Sequence, residues 1–549
     1  MKKFTYIFHT AAFLLFTISC DQEVVDPSAN PCPSDDPSII CPQAPPPPPC
    51  PDGATAGDAD FSKFVALGTS YTAGFQAGAL FTEGQNNSLG QILATQFACV
   101  GGGAFNQPSI NSEHGFNLLI SPNPMGTTVL GRFRLQGDPP APAPMISGAE
   151  AIPNPQVNPA FLYAGDKTTL NNFSVPTIFL RQIFTPAAGN WGNPNPAEGF
   201  TPFYARFASI PGTSTILTDA ASKAPTFLLF WMGMDDYLLH AAFGGDGRAP
   251  LTPVEGGIGA GFAATYGAAI ASFMAPNANL KGVVANFPSV FALPYFNLVP
   301  YNPIPMSAEL AAAANAGYAG YNQILEGLKG APFNLPAAAM DARKISFAAG
   351  ANPFVIEDET LMDLGDIFDM LAGAQQITAE QRLALAPLEQ VRLTTASDRI
   401  PLSAGSVLGT LANPNNPASV RGVGVPLGDA YALIPSEIAE IESARTAYNT
   451  VISQIATSGT YADRLALADL NSGFDAFVTN QAAIIDKLTI TPNLTPPTGI
   501  YSEDGLHPNS RGYAFIANMI IDAINAKFGA SVPKANLGVY PATGLPIAP

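Results

Sequence analysis

Three polar motifs in this sequence combine the residue types that nucleophilic catalysis uses, and each stands beside a predicted strand or helix. Ser70 comes directly after the apolar run 64–67, and a Gly-x-Asp-Asp motif at 233–236 follows the apolar run 226–231. An Asp-x-x-His motif at 504–507 stands just ahead of the last helical pattern. A serine becomes a useful nucleophile only beside a base that takes its proton. The three motifs could therefore supply a nucleophile, a base and a group that stabilises an oxyanion.

The elements that must position these motifs belong to an α/β fold. Apolar runs predict buried strands at 64–67, 226–231, 282–286 and 465–470, and helical patterns cover 89–97, 308–328, 436–455 and 512–528. Strands that alternate with helices predict three layers, with a mostly parallel central sheet and helices on both faces. Because ligands of such folds bind beyond the carboxyl ends of the strands, we expect the motifs to meet at one edge of the sheet.

Two of the motifs resemble those of the SGNH hydrolases, also called the GDSL esterase/lipase family. The run Gly-Thr-Ser-Tyr-Thr-Ala-Gly at 68–74 is similar to the family's first block, and Ser-Glu-Asp-Gly-Leu-His-Pro-Asn at 502–509 is similar to its last block. The resemblance implies a flavodoxin-like fold with Ser70 as nucleophile and His507 as its base. It also implies that Asp504 holds the imidazole of His507 in the required tautomer.

The resemblance also implies an oxyanion hole, and here the sequence departs from the family. Its three donors correspond to the backbone N–H of Ser70, the backbone N–H of Thr177, which stands at a glycine position, and the side chain of Asp235, which stands at an asparagine position. Gly68, Gly233 and Asp236 are the neighbouring motif residues, and Thr69 replaces an aspartate before the nucleophile.

Asp235 is the most consequential of these changes, because an ionised carboxylate cannot donate a hydrogen bond. One hypothesis is that apolar surroundings, with Trp231 and Met234 nearby, keep Asp235 protonated so that it can donate. The alternative is that Asp235 caps a turn or pairs with a cation, which leaves a weak or inactive site.

The amino-acid composition restricts the kinds of molecule that this protein can bind. The chain carries 24 Lys and Arg against 42 Asp and Glu, a formal charge of −18, which makes nucleic acid an unsuitable partner. A hydrophobic share of 47% is enough for a large core. Nothing in the motifs implies a metal or an organic cofactor.

The N-terminus has the pattern of a bacterial lipoprotein. Residues 1–19 combine two lysines with a short apolar run, which is typical of a signal peptide, and Cys20 is the predicted lipidation site. Residues 20–60 form a Pro-rich stalk that contains Cys32, Cys41 and Cys50. With Cys99 these predict two disulfides, in one of three connectivities.

The remaining chain is interpreted as one hydrolase domain at 61–535, with insertions at about 101–223 and 290–460 and a C-terminal tail at 536–549. The predicted function is an exported lipoprotein of the bacterial cell envelope that hydrolyses carboxylic esters through an acyl-enzyme. Candidate substrates are acyl lipids or O-acetylated glycans, and the membrane is contacted through the lipid anchor on Cys20. The alternative is an inactive surface lipoprotein of the same fold that binds glycan or lipid.

Overall fold

The computed structural model describes residues 50–117, 130–136, 141–146 and 161–543. The predicted signal peptide, the lipidation site at Cys20, and Cys32 and Cys41 lie outside these residues, as does the end of the predicted tail, 544–549. Cys50 and Cys99 are both disulfide-bonded. Among the described residues, no helix is long and apolar enough to span a bilayer.

The described residues form these strands: β1 (Phe64–Gly68), β2 (Leu130–Gln136), β3 (Ala141–Ile146), β4 (Phe227–Trp231), β5 (Lys281–Ala285), β6 (Ile304–Met306), β7 (Gly350–Asn352), β8 (Val355–Glu357), β9 (Val391–Leu393), β10 (Leu465–Ala468), β11 (Ala483–Ile485) and β12 (Leu488–Ile490). Four of them make the central sheet in the order β1-β4-β5-β10, and all of its neighbours are parallel. Every residue of β1 and β4 is buried, as expected for strands covered on both faces. The four predicted strands are thus confirmed as one parallel sheet.

The helices are α1 (Ser70–Ala73), α2 (Thr82–Asn86), α3 (Leu89–Phe97), α4 (Pro202–Ala205), α5 (Ile216–Ala221), α6 (Asp235–Ala242), α7 (Phe262–Met274), α8 (Ala308–Leu328), α9 (Ala337–Asp341), α10 (Gly365–Gly373), α11 (Ala379–Leu385), α12 (Pro435–Thr457), α13 (Leu470–Asn480) and α14 (Ser510–Phe528). Several of them flank the central sheet: α3 packs against α14, and α7 packs against α12. Both α12 and α14 contact β5 and β10. The main apolar core therefore lies between the sheet and these helices.

Two smaller apolar clusters lie apart from this core. One packs α8 against α10 and the loop residues around Ile345, and the other surrounds Phe354, Ile356 and Ile400. The short antiparallel pairs β6–β7 and β8–β9 belong to the same part of the chain. The residues between β5 and α12 thus pack largely against one another.

An extended segment at 171–175 runs along the free edge of β1. The N–H of Ala66 donates to the carbonyl of Asn171 at 2.9 Å, and the carbonyl of Ala66 accepts from Phe173 at 2.8 Å. The N–H of Val175 donates to the carbonyl of Gly68 at 3.0 Å, and the bridge between Ala66 and Asn172 is parallel. The segment thus acts as an irregular fifth strand, which the polar sequence did not predict.

Candidate active site

The carboxyl ends of the edge segment, β1 and β4 bring three of the predicted site residues to one edge of the sheet. Ser70 follows β1 and begins α1, Thr177 follows the edge segment, and Asp235 follows β4 and begins α6. Ser70 and Asp235 are each only 1% exposed. The structure therefore gathers at this edge the residues that the sequence placed after separate strands.

Two glycines allow the chain to turn there. A Cβ on Gly68 would lie 2.2 Å from Oγ1 of Thr72, in the first turn of α1. Gly233 has φ +104, a conformation that L side chains rarely adopt, and a Cβ would lie 2.5 Å from the ring of Phe262. Both positions thus require glycine for the strand-to-helix turns.

Asp504 and His507 form a tight hydrogen-bonded pair in the loop before α14. His507 Nδ1 lies 2.8 Å from Asp504 Oδ2, and Asp504 Oδ1 accepts the backbone N–H groups of Leu506 and His507, both at 2.8 Å. Burial opposes ionisation of this carboxyl, but the charge of His507 and the hydrogen bonds outweigh it, so the pKa of Asp504 is lowered. The pair fixes the imidazole with Nε2 as the nitrogen that can serve a nucleophile.

A turn that follows α1, near the N-terminal end of the described chain, donates hydrogen bonds to the loop that carries this pair. Gly78 donates its N–H to Asp504 Oδ2 at 2.7 Å, and Ala77 donates to the hydroxyl of Ser502 at 2.8 Å. These contacts were not predicted. They join residues more than 400 positions apart, and both Ala77 and Gly78 have positive φ in this turn, +51 and +73.

The helix that begins with Ser70 lies directly against His507. The ring centroid of Tyr71 is 5.3 Å from that of the imidazole, and the centroid of Phe75 is 5.0 Å from it. Tyr71 also donates its hydroxyl to the carbonyl of Leu506 at 2.6 Å. Among the described residues, Ser70 Oγ is buried without a hydrogen-bond partner. The imidazole of His507 thus lies beside the residue that follows Ser70, and no hydrogen bond joins it to Ser70 Oγ.

The loop at 177–180 is held by the two aspartates that begin α6. Ile178 donates its N–H to Asp235 Oδ2 at 3.0 Å, and Leu180 donates to Asp236 Oδ2 at 2.7 Å. Asp236 also accepts the hydroxyl of Thr252. Thr177 has φ +56, a strained conformation for a β-branched residue. The loop is thereby fixed with Thr177 at the edge where Ser70 lies.

Burial dominates the charge state of both aspartates. It raises the pKa of Asp235 to about 7, although the charge of His507 and the hydrogen bond from Ile178 oppose this shift. Burial likewise raises the pKa of Asp236 to about 6. Asp235 is therefore largely neutral below pH 7, and a neutral carboxyl can donate a hydrogen bond.

A separate cluster of three acidic residues lies outside this site. Oxygens of Glu359, Asp429 and Glu437 all lie within 4.8 Å of one another, a spacing that a metal ion could bridge. Burial raises the pKa of Asp429 to about 6 and that of Glu437 to about 8.

Comparison with known proteins gave no match: no family model matches the chain, and no curated protein and no solved structure matches it either. The geometry of the site is thus the basis for any functional conclusion.

Proposed function

We propose that this chain is a carboxylic ester hydrolase of the SGNH/GDSL type, with Ser70, His507 and Asp504 as its triad. The observation that carries the proposal is the Asp504–His507 pair, 2.8 Å apart, packed against the helix that Ser70 begins. A buried imidazole with one nitrogen on a carboxylate and a serine beside it is the arrangement that acyl transfer uses.

The sheet supports the same proposal. Counted with the edge segment 171–175, the parallel strands follow the order 2-1-3-4-5, which is the flavodoxin-like order. In that order the ligand site lies outside the carboxyl ends, where the strand order reverses beside strand 1. Ser70 follows that strand, and Thr177 and Asp235 follow its two neighbours.

In the proposed reaction, Ser70 Oγ attacks the ester carbonyl while His507 Nε2 takes the hydroxyl proton. The tetrahedral oxyanion accepts hydrogen bonds from the N–H groups of Ser70 and Thr177 and from the protonated carboxyl of Asp235. The intermediate collapses to an acyl-serine, and His507 returns the proton to the departing alcohol. Water, activated by the same imidazole, then releases the acid.

The cellular setting remains the one that the sequence predicts: a lipid anchor on Cys20 that tethers the enzyme to a bacterial envelope membrane through the stalk. In that setting the ester would come from a lipid or from an acylated glycan.

The test is hydrolysis of short and medium nitrophenyl esters by the purified full-length chain between pH 5 and 9, with Ser70→Ala and His507→Ala as variants. We expect both variants to lose turnover, and Ser70→Ala to lose labelling by a fluorophosphonate. Turnover or labelling that is unchanged in Ser70→Ala would contradict the proposal.

A second candidate is a non-catalytic protein that binds glycan or lipid in the same cleft. The unpartnered Ser70 Oγ and the altered residues Thr69, Thr177 and Asp235 favour it. It predicts no fluorophosphonate labelling of the wild-type chain at any pH. Catalytic hydrogen bonds are often loose before substrate binds, so the unpartnered serine is also compatible with an enzyme.

A further inference from the structure

A cavity of about 470 Å³ opens beside the loop that holds the proposed oxyanion site. Phe179 and Arg181 line it from this loop, and Phe179 directly follows Ile178, whose N–H binds Asp235. Because consecutive Cα atoms are about 3.8 Å apart, Phe179 lies within about 8 Å of Thr177. The volume is in the range of ligand sites, and the cavity shares the loop at 177–180 with the proposed oxyanion site, while Ser70, Asp235 and His507 are not among its lining residues.

Arg181 and Glu198 are the two charged residues of the lining without an ion-pair partner among the described residues, and the charge of Arg181 also acts to lower the pKa of the buried Asp236. Among the described residues, no carboxylate lies within 4.0 Å of the guanidinium nitrogens of Arg181, so it has no ion-pair partner there. Arg248, which also lines the cavity, is paired with Asp246. Glu198, the carboxylate in the lining, accepts hydrogen bonds from the side-chain amides of two asparagines at 2.9 and 3.0 Å. A positive group thus remains available to a ligand.

The setting of Arg181 favours recognition of a planar anion. Its guanidinium carbon lies 4.3 Å from the centroid of the Phe179 ring, a contact that orients the group. A guanidinium matches a carboxylate through two parallel hydrogen bonds.

The remaining lining favours a sugar over an acyl chain. Two aromatic rings line the cavity, from Phe179 and Phe184, and both can pack against the C–H face of a sugar ring. The polar lining residues are Arg181, Gln182, Thr185, Glu198 and Arg248. An acyl chain placed here would desolvate these groups without satisfying them, which is unfavourable.

We propose that this cavity binds a sugar that carries a carboxylate, and that Arg181 recognises this carboxylate. The inference rests on the proposed function, of which it specifies the substrate class: an acylated acidic glycan, with its ester at Ser70 and a neighbouring acidic sugar in the cavity.

The test uses methyl glucuronide and methyl glucoside, which differ only in a carboxylate against a hydroxymethyl group. Each is titrated by calorimetry into the full-length Ser70→Ala chain. We expect the glucuronide to bind about tenfold more tightly, as a charge-assisted contact allows. This preference should disappear when Arg181→Gln is added and should persist when Arg421→Gln, an arginine outside the cavity, is added instead.

Equal affinities for the two glycosides, no binding of either, or a glucuronide preference that survives Arg181→Gln would each overturn the proposal. Glycerol phosphate that binds through Arg181 as tightly as the glucuronide would also overturn it, since the site would then recognise any anion. Because the Ser70→Ala chain cannot turn over an ester, these outcomes are independent of esterase activity. A wild-type chain that binds the glucuronide through Arg181 but hydrolyses no ester would refute only the proposed function.

Discussion

At the scale of single residues, Asp235 decides how the proposed oxyanion site works. A neutral Asp235 carboxyl donates a hydrogen bond and an ionised one cannot. Because its pKa is about 7, Asp235 changes from a donor to a non-donor within the pH range of the assay, 5 to 9. We expect wild-type ester hydrolysis to decline above pH 7. Asp235→Asn should remove this decline, because an amide donates at every pH, and at pH 8.5 should exceed the wild type by at least about tenfold. The measurement is kcat against pH for both chains.

The same substitution at Asp522, an exposed carboxylate on α14, is the matched control and should leave the pH profile unchanged. An Asp235→Asn chain that is slower than the wild type at every pH would contradict a donor role for Asp235. It would instead indicate that the site requires the carboxylate of Asp235 itself, since an asparagine amide oxygen can still accept the hydrogen bond from Ile178.

At the scale of residues, the sequence allows a contact to be predicted where both partners lie within one short motif. Asp504 and His507 lie within one short run, 502–509, and their pairing is what the resemblance of that run to the family's last block implies. The support from Gly78 and Tyr71 could not be predicted, because Gly78 lies outside the motifs, Tyr71 has no predicted role within its motif, and each reaches its partner across more than 400 positions.

At the scale of elements, the loop at 177–180 depends on the start of α6. Removing the carboxyl of Asp236 would leave the N–H of Leu180 buried without its partner, at a cost of about 1–3 kcal/mol. We expect Asp236→Ala to lower kcat about tenfold or more with little change in KM, because the displaced loop acts on the transition state. Asp236→Asn, whose amide oxygen can still accept from Leu180, should retain most activity.

Steady-state kinetics on the two variants test this expectation, with the midpoint of urea unfolding as a measure of stability. A normal kcat in Asp236→Ala would show that the loop keeps its place without this anchor. Equal losses in Asp236→Ala and Asp236→Asn would show that the charge, and not the hydrogen bond, is required.

The elements differ in how well the sequence predicts them, for physical reasons. The central strands are uninterrupted apolar runs because both of their faces are covered, and α8 begins and ends at the predicted residues 308 and 328. The edge segment 171–175 pairs on one side only and contains Asn171, Asn172 and Ser174, so its composition is that of a loop. Helix α12 begins at Pro435, one residue before the predicted start at 436, with Ile434 as its cap residue.

At the scale of the whole molecule, buried carboxyls should make stability fall as pH rises. Burial raises the pKa of Asp235 to about 7, of Asp236 to about 6 and of Glu437 to about 8. Between the ordinary carboxyl pKa of about 4 and these values, the folded chain holds protons that the unfolded chain has released. The stabilisation is therefore fully present below pH about 4 and is lost as pH rises through 6 to 8.

We expect the free energy of unfolding to be larger at pH 5.5 than at pH 8 by at least about 1 kcal/mol, measured by urea unfolding of the full-length chain. Glu437→Gln removes one of the titrating groups and should reduce the difference. A chain that is more stable at pH 8 would show that these carboxyls do not control the pH dependence of folding.

The two ends of the described chain meet, and this determines when the proposed site can exist. The N–H of Thr55 donates to the side-chain hydroxyl of Ser531, the N–H of Ser531 donates to the carbonyl of Thr55, both at 2.9 Å, and Asp58 donates to the carbonyl of Phe528 at 2.8 Å. Ser70 and Asp504 likewise come from opposite ends, so a growing polypeptide exposes the serine long before its partners are synthesised. Hydrolytic competence would thus arise only in the finished polypeptide, and C-terminally truncated products would retain the nucleophile without the base that activates it.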